Sequence, residues 1–156
     1  MYLKVDTEVA GFILGEMGNA TKAEFAKFLI NKFEQNEIVK EHALHSVALI
    51  NRIRENRNII EHAQPHQYRG GYEEQIYKIN KRGMIVEFDA PIGTLKALVS
   101  KMREVEGYIR FIMFTITTHR DDKDEKLQTA MTEALSSRGK LPLPDKIAPL
   151  PPLEDQ

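Results

Sequence analysis

"QIYKINKRGMIVEFDAPIGTLKALVSKM", residues 75–102, decides the fold, because its hydrophobic period changes midway. From Gln75 to Asp89 apolar and polar residues alternate, the period of a strand. Tyr77 and Ile79 stand on one arm and Met84, Val86 and Phe88 on the other. "NKRG" between them supplies the turn, with Gly83 able to take the positive φ a short hairpin loop needs. After Asp89 the period becomes helical. Asp89 is placed to cap, Pro91 suits a first helical turn, and Leu95, Leu98, Met102, Val105, Ile109, Ile112 and Ile116 follow at helical spacing. The stretch therefore predicts one β-hairpin, about 75–89, inserted ahead of a long amphipathic helix.

The chain on either side is helical in pattern. A short helix is expected from about Val5 to Met17, with Val9, Phe12, Ile13 and Met17 as its apolar positions. Gly18 and Asn19 break it. Thr21 and Glu24 have the spacing of a capping box, which would open a second helix with Phe25, Phe28, Leu29 and Phe33 facing the core. A third helix is expected from about Glu37 to Ala63. Leu49, Ile53 and Ile60 share one face of it, with Asn56 between them. Pro65 stops it, since a proline biases the residue before it away from helix. "PHQYRGGYEEQ" then reads as a loop. A last helix is expected from about Asp122 to Ser137, with Leu127, Met131, Ala134 and Leu135 inward. The tail "GKLPLPDKIAPLPPLEDQ" is too rich in proline for helix and favours extended chain. The expected fold is mainly α: an up-and-down bundle of four to five helices over residues 1–138, with the inserted hairpin, and a proline-rich tail over 139–156. The tail is expected to lie along its own bundle or a partner subunit.

Composition removes several function classes. The chain has 156 residues, 42% hydrophobic and 29% charged, ordinary for one globular domain. It has no cysteine, which excludes disulfides, a thiol nucleophile and thiolate metal sites. No apolar run is long enough to span a bilayer, and the N-terminal "MYLKVDTEVAG" lacks the pattern of a signal peptide. A cytoplasmic protein is the expectation. The formal net charge of −1 gives no global basic field, although residues 52–82 carry seven basic and four acidic side chains. His42 and His45 lack a clear third metal ligand and read as packed or surface histidines. "YRGGY", residues 68–72, lacks the lysine and the frame of a phosphate loop.

The polar groups of interest cluster at the end of the third helix, in "RENRNIIEHAQP", residues 54–65. Arg54, Asn58 and His62 are four apart and share a face. Arg57 lies beside them, about 140° around the helix from His62. A cation, an amide and an imidazole that titrates near neutrality suit metal-free RNA cleavage. That reaction needs a base for the 2′-hydroxyl proton, an acid for the leaving 5′-oxygen and positive charge on the phosphate. The plain alternative is a surface ion pair between Arg57 and Glu61 at i,i+4, with His62 capping the last carbonyls.

"RNIIEH", residues 57–62, resembles the signature of the HEPN superfamily: an arginine, a polar residue, three variable residues and a histidine. The context is similar as well, from about Val5 to Ile116. The motif closes a long helix and is followed by a proline-containing loop, a hairpin and a capped helix. The resemblance implies a bundle that pairs through its motif-bearing helices into a homodimer, acting as a metal-independent endoribonuclease without cofactor. Arg57 and His62 would be catalytic and Asn58 would orient them. Spacing adds Arg54 as a substrate-binding residue, and His66, just past Pro65, as a second imidazole. The family's settings include toxin–antitoxin systems, phage defence and RNA processing, so RNA is the expected substrate or ligand. An antitoxin or another protein would be the partner, though no residue here names one. Other members have lost activity and bind RNA, a nucleotide or a protein, which is the alternative expectation. Glu61 puts a negative charge beside the site.

Overall fold

The computed structural model describes residues 7–67, 74–79, 81–88, 92–121 and 124–150. Among them are five helices and one antiparallel sheet, in chain order α1 (Thr7–Glu16), α2 (Asn19–Phe33), α3 (Glu37–Glu61), β1 (Gln64–Gln67), β2 (Glu74–Ile79), β3 (Ile85–Phe88), α4 (Ile92–Asp121) and α5 (Glu125–Arg138). The fold is mainly α, a helical bundle with an inserted hairpin, as the periodicity predicts. Asp89, Pro91, the "YRGGY" stretch and Asp122 lie outside the described residues. The chain divides into two compact units, one of residues 1–51 and 105–142, the other of residues 52–104 and 143–156.

In the first unit, Val39, Ala43, Val47 and Leu49 of α3 are buried, as are Val105, Tyr108 and Ile112 of α4 and Leu135 of α5. The helix starts are specified by side chains. Asn36 Oδ1 accepts from the Ile38 and Val39 amides at 3.0 and 3.1 Å and opens α3. Asp124 Oδ1 accepts from the Lys126 and Leu127 amides at 2.9 and 3.3 Å and opens α5. Each satisfies donors that a helix leaves free in its first turn. The expected Thr21–Glu24 box does not form. Gly18 is the extended residue before α2, so Thr21 already lies inside the helix, and Glu24 pairs with Lys27 at 2.8 Å instead. Two of the four residues expected to face the core from α2 do not. Ile30 is its buried residue, while Phe28 and Phe33 are exposed with Lys32 Nζ 5.4 Å from each ring centroid. Leu127, Ala134 and Met102 are likewise exposed, against expectation.

The second unit holds the sheet, in the order β1-β2-β3. Gly83 has φ +77°, the left-handed turn conformation that the sequence predicts. The register sets Ile76 opposite Phe88 and Ile79 opposite Ile85. Directly opposed residues share a face. Ile76, Val86 and Phe88 belong to one packed cluster, so the inward face of β2 is that of Ile76 and not of Tyr77 and Ile79. Ile79 and Ile85 are 57% and 66% exposed. The stretch expected to be a loop contributes a third strand. Gln64–Gln67 pairs antiparallel with β2, Pro65 opposite Ile76. An edge strand tolerates proline because its missing N–H can face away from the ladder. The tail runs along this same unit. Ile147 joins Phe88 and Leu98 in the core, with Ile59, Ile60 and Leu95 packed against them. Leu150 N–H donates to Glu87 O at 2.8 Å, and Pro149 bridges Phe88 antiparallel. The tail thus extends the sheet beyond β3.

Candidate functional site at the end of the third helix

All the residues singled out from the sequence lie where α3 gives way to β1, within the second unit. Arg54 is half-buried, and Asn58 is exposed one turn further on. His62 is exposed in the turn just past the last helical residue, so the spacing of four continues beyond the regular helix. The Ala63 amide closes that turn on Ile60 O at 3.2 Å. His66 lies in β1, paired with Gln75. Arg57 points elsewhere. Its side chain is 58% exposed, and Nη2 sits 3.1 Å from Glu61 Oε1. This is the i,i+4 ion pair that the spacing allows, worth about a few tenths of a kcal/mol at such exposure. Glu61 is the last residue of α3, where the helix dipole is negative and disfavours a carboxylate. The Arg57 guanidinium offsets that.

Beneath this exposed set lies a residue whose role the site reading passed over. Asn56 is 0% exposed. Its Nδ2 donates to Asp145 O at 2.8 Å, and its Oδ1 accepts from Ile147 N–H at 3.0 Å. One turn earlier, Arg52 Nη1 donates to Pro144 O at 3.2 Å. Glu55 Oε2 lies 3.7 Å from both Arg52 Nε and Lys146 Nζ. The sequence held a signal for this: an amide interrupting the apolar stripe of Ile53 and Ile60 must find partners when it is buried.

The histidines of the first unit serve packing. His42 is buried, with Nδ1 2.6 Å from the Tyr108 hydroxyl, and His45 Nε2 is 2.6 Å from Leu141 O. Burial pushes the His42 imidazole below its ordinary range, helped by the charge of Lys140 and by His45 and opposed by Glu41. Burial also raises the Tyr108 phenol to about 12, against the Arg138 charge. The Arg138 guanidinium lies 5.9 Å from the Tyr108 ring centroid. Lys140 Nζ is 2.8 Å from Glu41, whose carboxyl it holds below the usual range. His119 sits on a cleft of ≈ 420 Å³ with Asn36 and Gln128, its Nε2 2.9 Å from Thr132 Oγ1. Among the described residues no group of three or more histidine or carboxylate side chains is placed to hold a metal, and no helix is long and apolar enough to cross a membrane.

Comparisons with family models, with curated proteins and with solved structures returned no match to this chain.

Proposed function

We propose that the exposed end of α3 binds RNA and cleaves it without metal. The observation that supports this is the exposure of Asn58 and His62 beside the Arg57 cation, at a helix end that is held from below by Asn56. Polar groups free of packing duty, on a braced element, are what a catalytic constellation needs. The spacing of Arg57, Asn58 and His62 resembles the HEPN signature and points to the same chemistry.

In this proposal Arg57 leaves Glu61 and grips the scissile phosphate through two parallel hydrogen bonds. A neutral imidazole takes the proton of the 2′-hydroxyl, and the oxygen attacks phosphorus. A protonated imidazole gives its proton to the departing 5′-oxygen. The products are a 2′,3′-cyclic phosphate and a 5′-hydroxyl. Two imidazoles are required, and a homodimer pairing its α3 ends supplies one His62 from each copy, with Arg54 and His66 as substrate-binding residues. A cytoplasmic setting, in a toxin–antitoxin pair or a phage-defence system, belongs to the same proposal. Mixed RNA incubated with the protein in EDTA should yield cyclic-phosphate ends, and His62→Ala should stop it. Intact RNA, or undiminished cutting by the variant, refutes the proposal.

The Arg57–Glu61 pair favours a second reading, a module that binds RNA, a nucleotide or a protein without chemistry. A carboxylate held against the phosphate-gripping residue weakens catalysis more than weak, reversible binding. RNA binding that is lost on Arg57→Ala, with no cleavage under any condition, would select it.

A further inference from the structure

The contacts between the tail and the second unit have the form of a peptide seated in a groove. Asn56 reads the tail's main chain with both arms of its amide, donating to the carbonyl of residue 145 and accepting from the N–H of residue 147. Arg52 takes the carbonyl of residue 144. Leu150 adds a strand-type bond to the free edge of β3, through Glu87 O. None of these four bonds uses a tail side chain. A segment recognised by its backbone is recognised whichever chain it belongs to, the principle of strand addition to a sheet edge.

The side-chain demands are few. Ile147 is 4% exposed and fills the space over Phe88 and Leu98, and Pro144 is buried. Asp145, Lys146, Ala148 and Pro149 are all exposed. Pro144 and Pro149 hold the segment extended, which lowers the ordering entropy of docking. The groove therefore selects a proline, two open positions, an aliphatic anchor, one open position and a proline. Lys146 near Glu55 adds a mild preference for a basic residue before the anchor.

We infer that this groove, between the last turns of α3 and the edge of β3, is a docking site for an extended proline-flanked segment of a partner protein, with residues 143–150 as its resident competitor. A tethered segment competes at an effective concentration in the millimolar range, so the partner gains access when the tail's anchor is lost or when its own segment is abundant.

The test uses the full chain carrying Ile147→Asp, which breaks the resident anchor and leaves the groove intact. Labelled peptide LPDKIAPL, the sequence of residues 143–150, is titrated by fluorescence anisotropy. The variant should bind it saturably, roughly tenfold or more tighter than the wild-type chain, which holds its own tail. The same peptide with aspartate at the anchor should not bind, and adding Asn56→Ala should weaken binding at least roughly tenfold, since both amide bonds to the segment are lost. No binding to a variant with unchanged circular dichroism overturns the inference, as does binding indifferent to Asn56→Ala. Should Ile147→Asp not fold, amide exchange of the wild-type chain in excess peptide decides. Faster exchange at the Ile147 and Leu150 amides supports displacement, and unchanged exchange overturns it. A wild-type dimer that Ile147→Ala dissolves would assign the groove to a second copy and also overturn it.

Discussion

Asn56→Ala tests the brace beneath the candidate site. Two hydrogen bonds disappear, and the groups left behind differ in their access to water. The Ile147 amide belongs to a buried contact and loses its acceptor, while the Asp145 carbonyl is only part-buried and can turn to solvent. An orphaned buried donor costs about 1–3 kcal/mol and a replaceable bond about 0.5–1.5 kcal/mol. The expected loss is therefore about 1.5–4.5 kcal/mol, a large fraction of the ~5–15 kcal/mol that holds a typical domain folded. Urea unfolding of wild type and variant, followed by circular dichroism, measures it. The midpoint should fall with the slope unchanged. Hydrogen exchange at the Ile147 amide should accelerate by at least the same free energy. Asn56→Asp keeps an acceptor for the Ile147 amide but turns a second carboxylate oxygen toward the Asp145 carbonyl in a buried site, and should recover nothing at neutral pH. A variant within about 0.5 kcal/mol of wild type, inside the ordinary range of surface substitutions, would refute the assignment of Asn56 as the tail's anchor.

Glu61→Gln should leave stability within about 0.5 kcal/mol, because the pair it breaks is exposed, yet raise affinity for a short single-stranded RNA several-fold in a filter assay at low salt. Equal or weaker binding would mean that Glu61 does not restrain Arg57. Stability should also follow His42. Its folded-state affinity for a proton is reduced, so the unfolded chain binds more protons below its ordinary value near 6.5, and stability should fall as pH drops from 7.5 toward 5.5. His42→Gln should flatten that slope in urea titrations at several pH values. On the alkaline side Tyr108 holds its proton to about 12 when folded, so stability should decline once unfolded tyrosine ionises above about 10. Asp124→Ala, removing the cap of α5, should cost about 1 kcal/mol by thermal unfolding.

What could be read from the sequence depended on whether side chains carried the information. The α3 and α4 helices were legible because their apolar stripes repeat over many turns, and the hairpin because Gly83 marks a conformation few residues adopt. β1 was not, since "QPHQ" has no apolar alternation and an edge strand is held by main-chain bonds that any sequence can make. Which face of β2 turns inward was illegible for a related reason. Ile76, Tyr77 and Ile79 are all plausible core residues, and only the pairing with Phe88 decides among them. The Arg57–Glu61 contact was legible as helical spacing. The partners of Asn56 were not, because they are backbone atoms some ninety positions away; Asp145 is separated from it by 89 residues and Ile147 by 91. An amide in an apolar stripe announces that a partner exists without saying which.

That separation has a consequence for how the chain is made. A growing polypeptide emerges in order, and the second unit cannot close its core when α3, the sheet and the first half of α4 have left the ribosome. It waits until residue 147 arrives, by which time the whole of α5 has been synthesised. Contacts of such long range form late, because a large loop must close before they return any free energy. Until then the Asn56 amide and the apolar cluster around Phe88 stand open, a surface of the kind that chaperones and proteases engage. A product truncated anywhere before residue 147 would keep that surface exposed permanently. Ile147 thus ties closure of the second unit's core to the synthesis of residues that lie beyond α5.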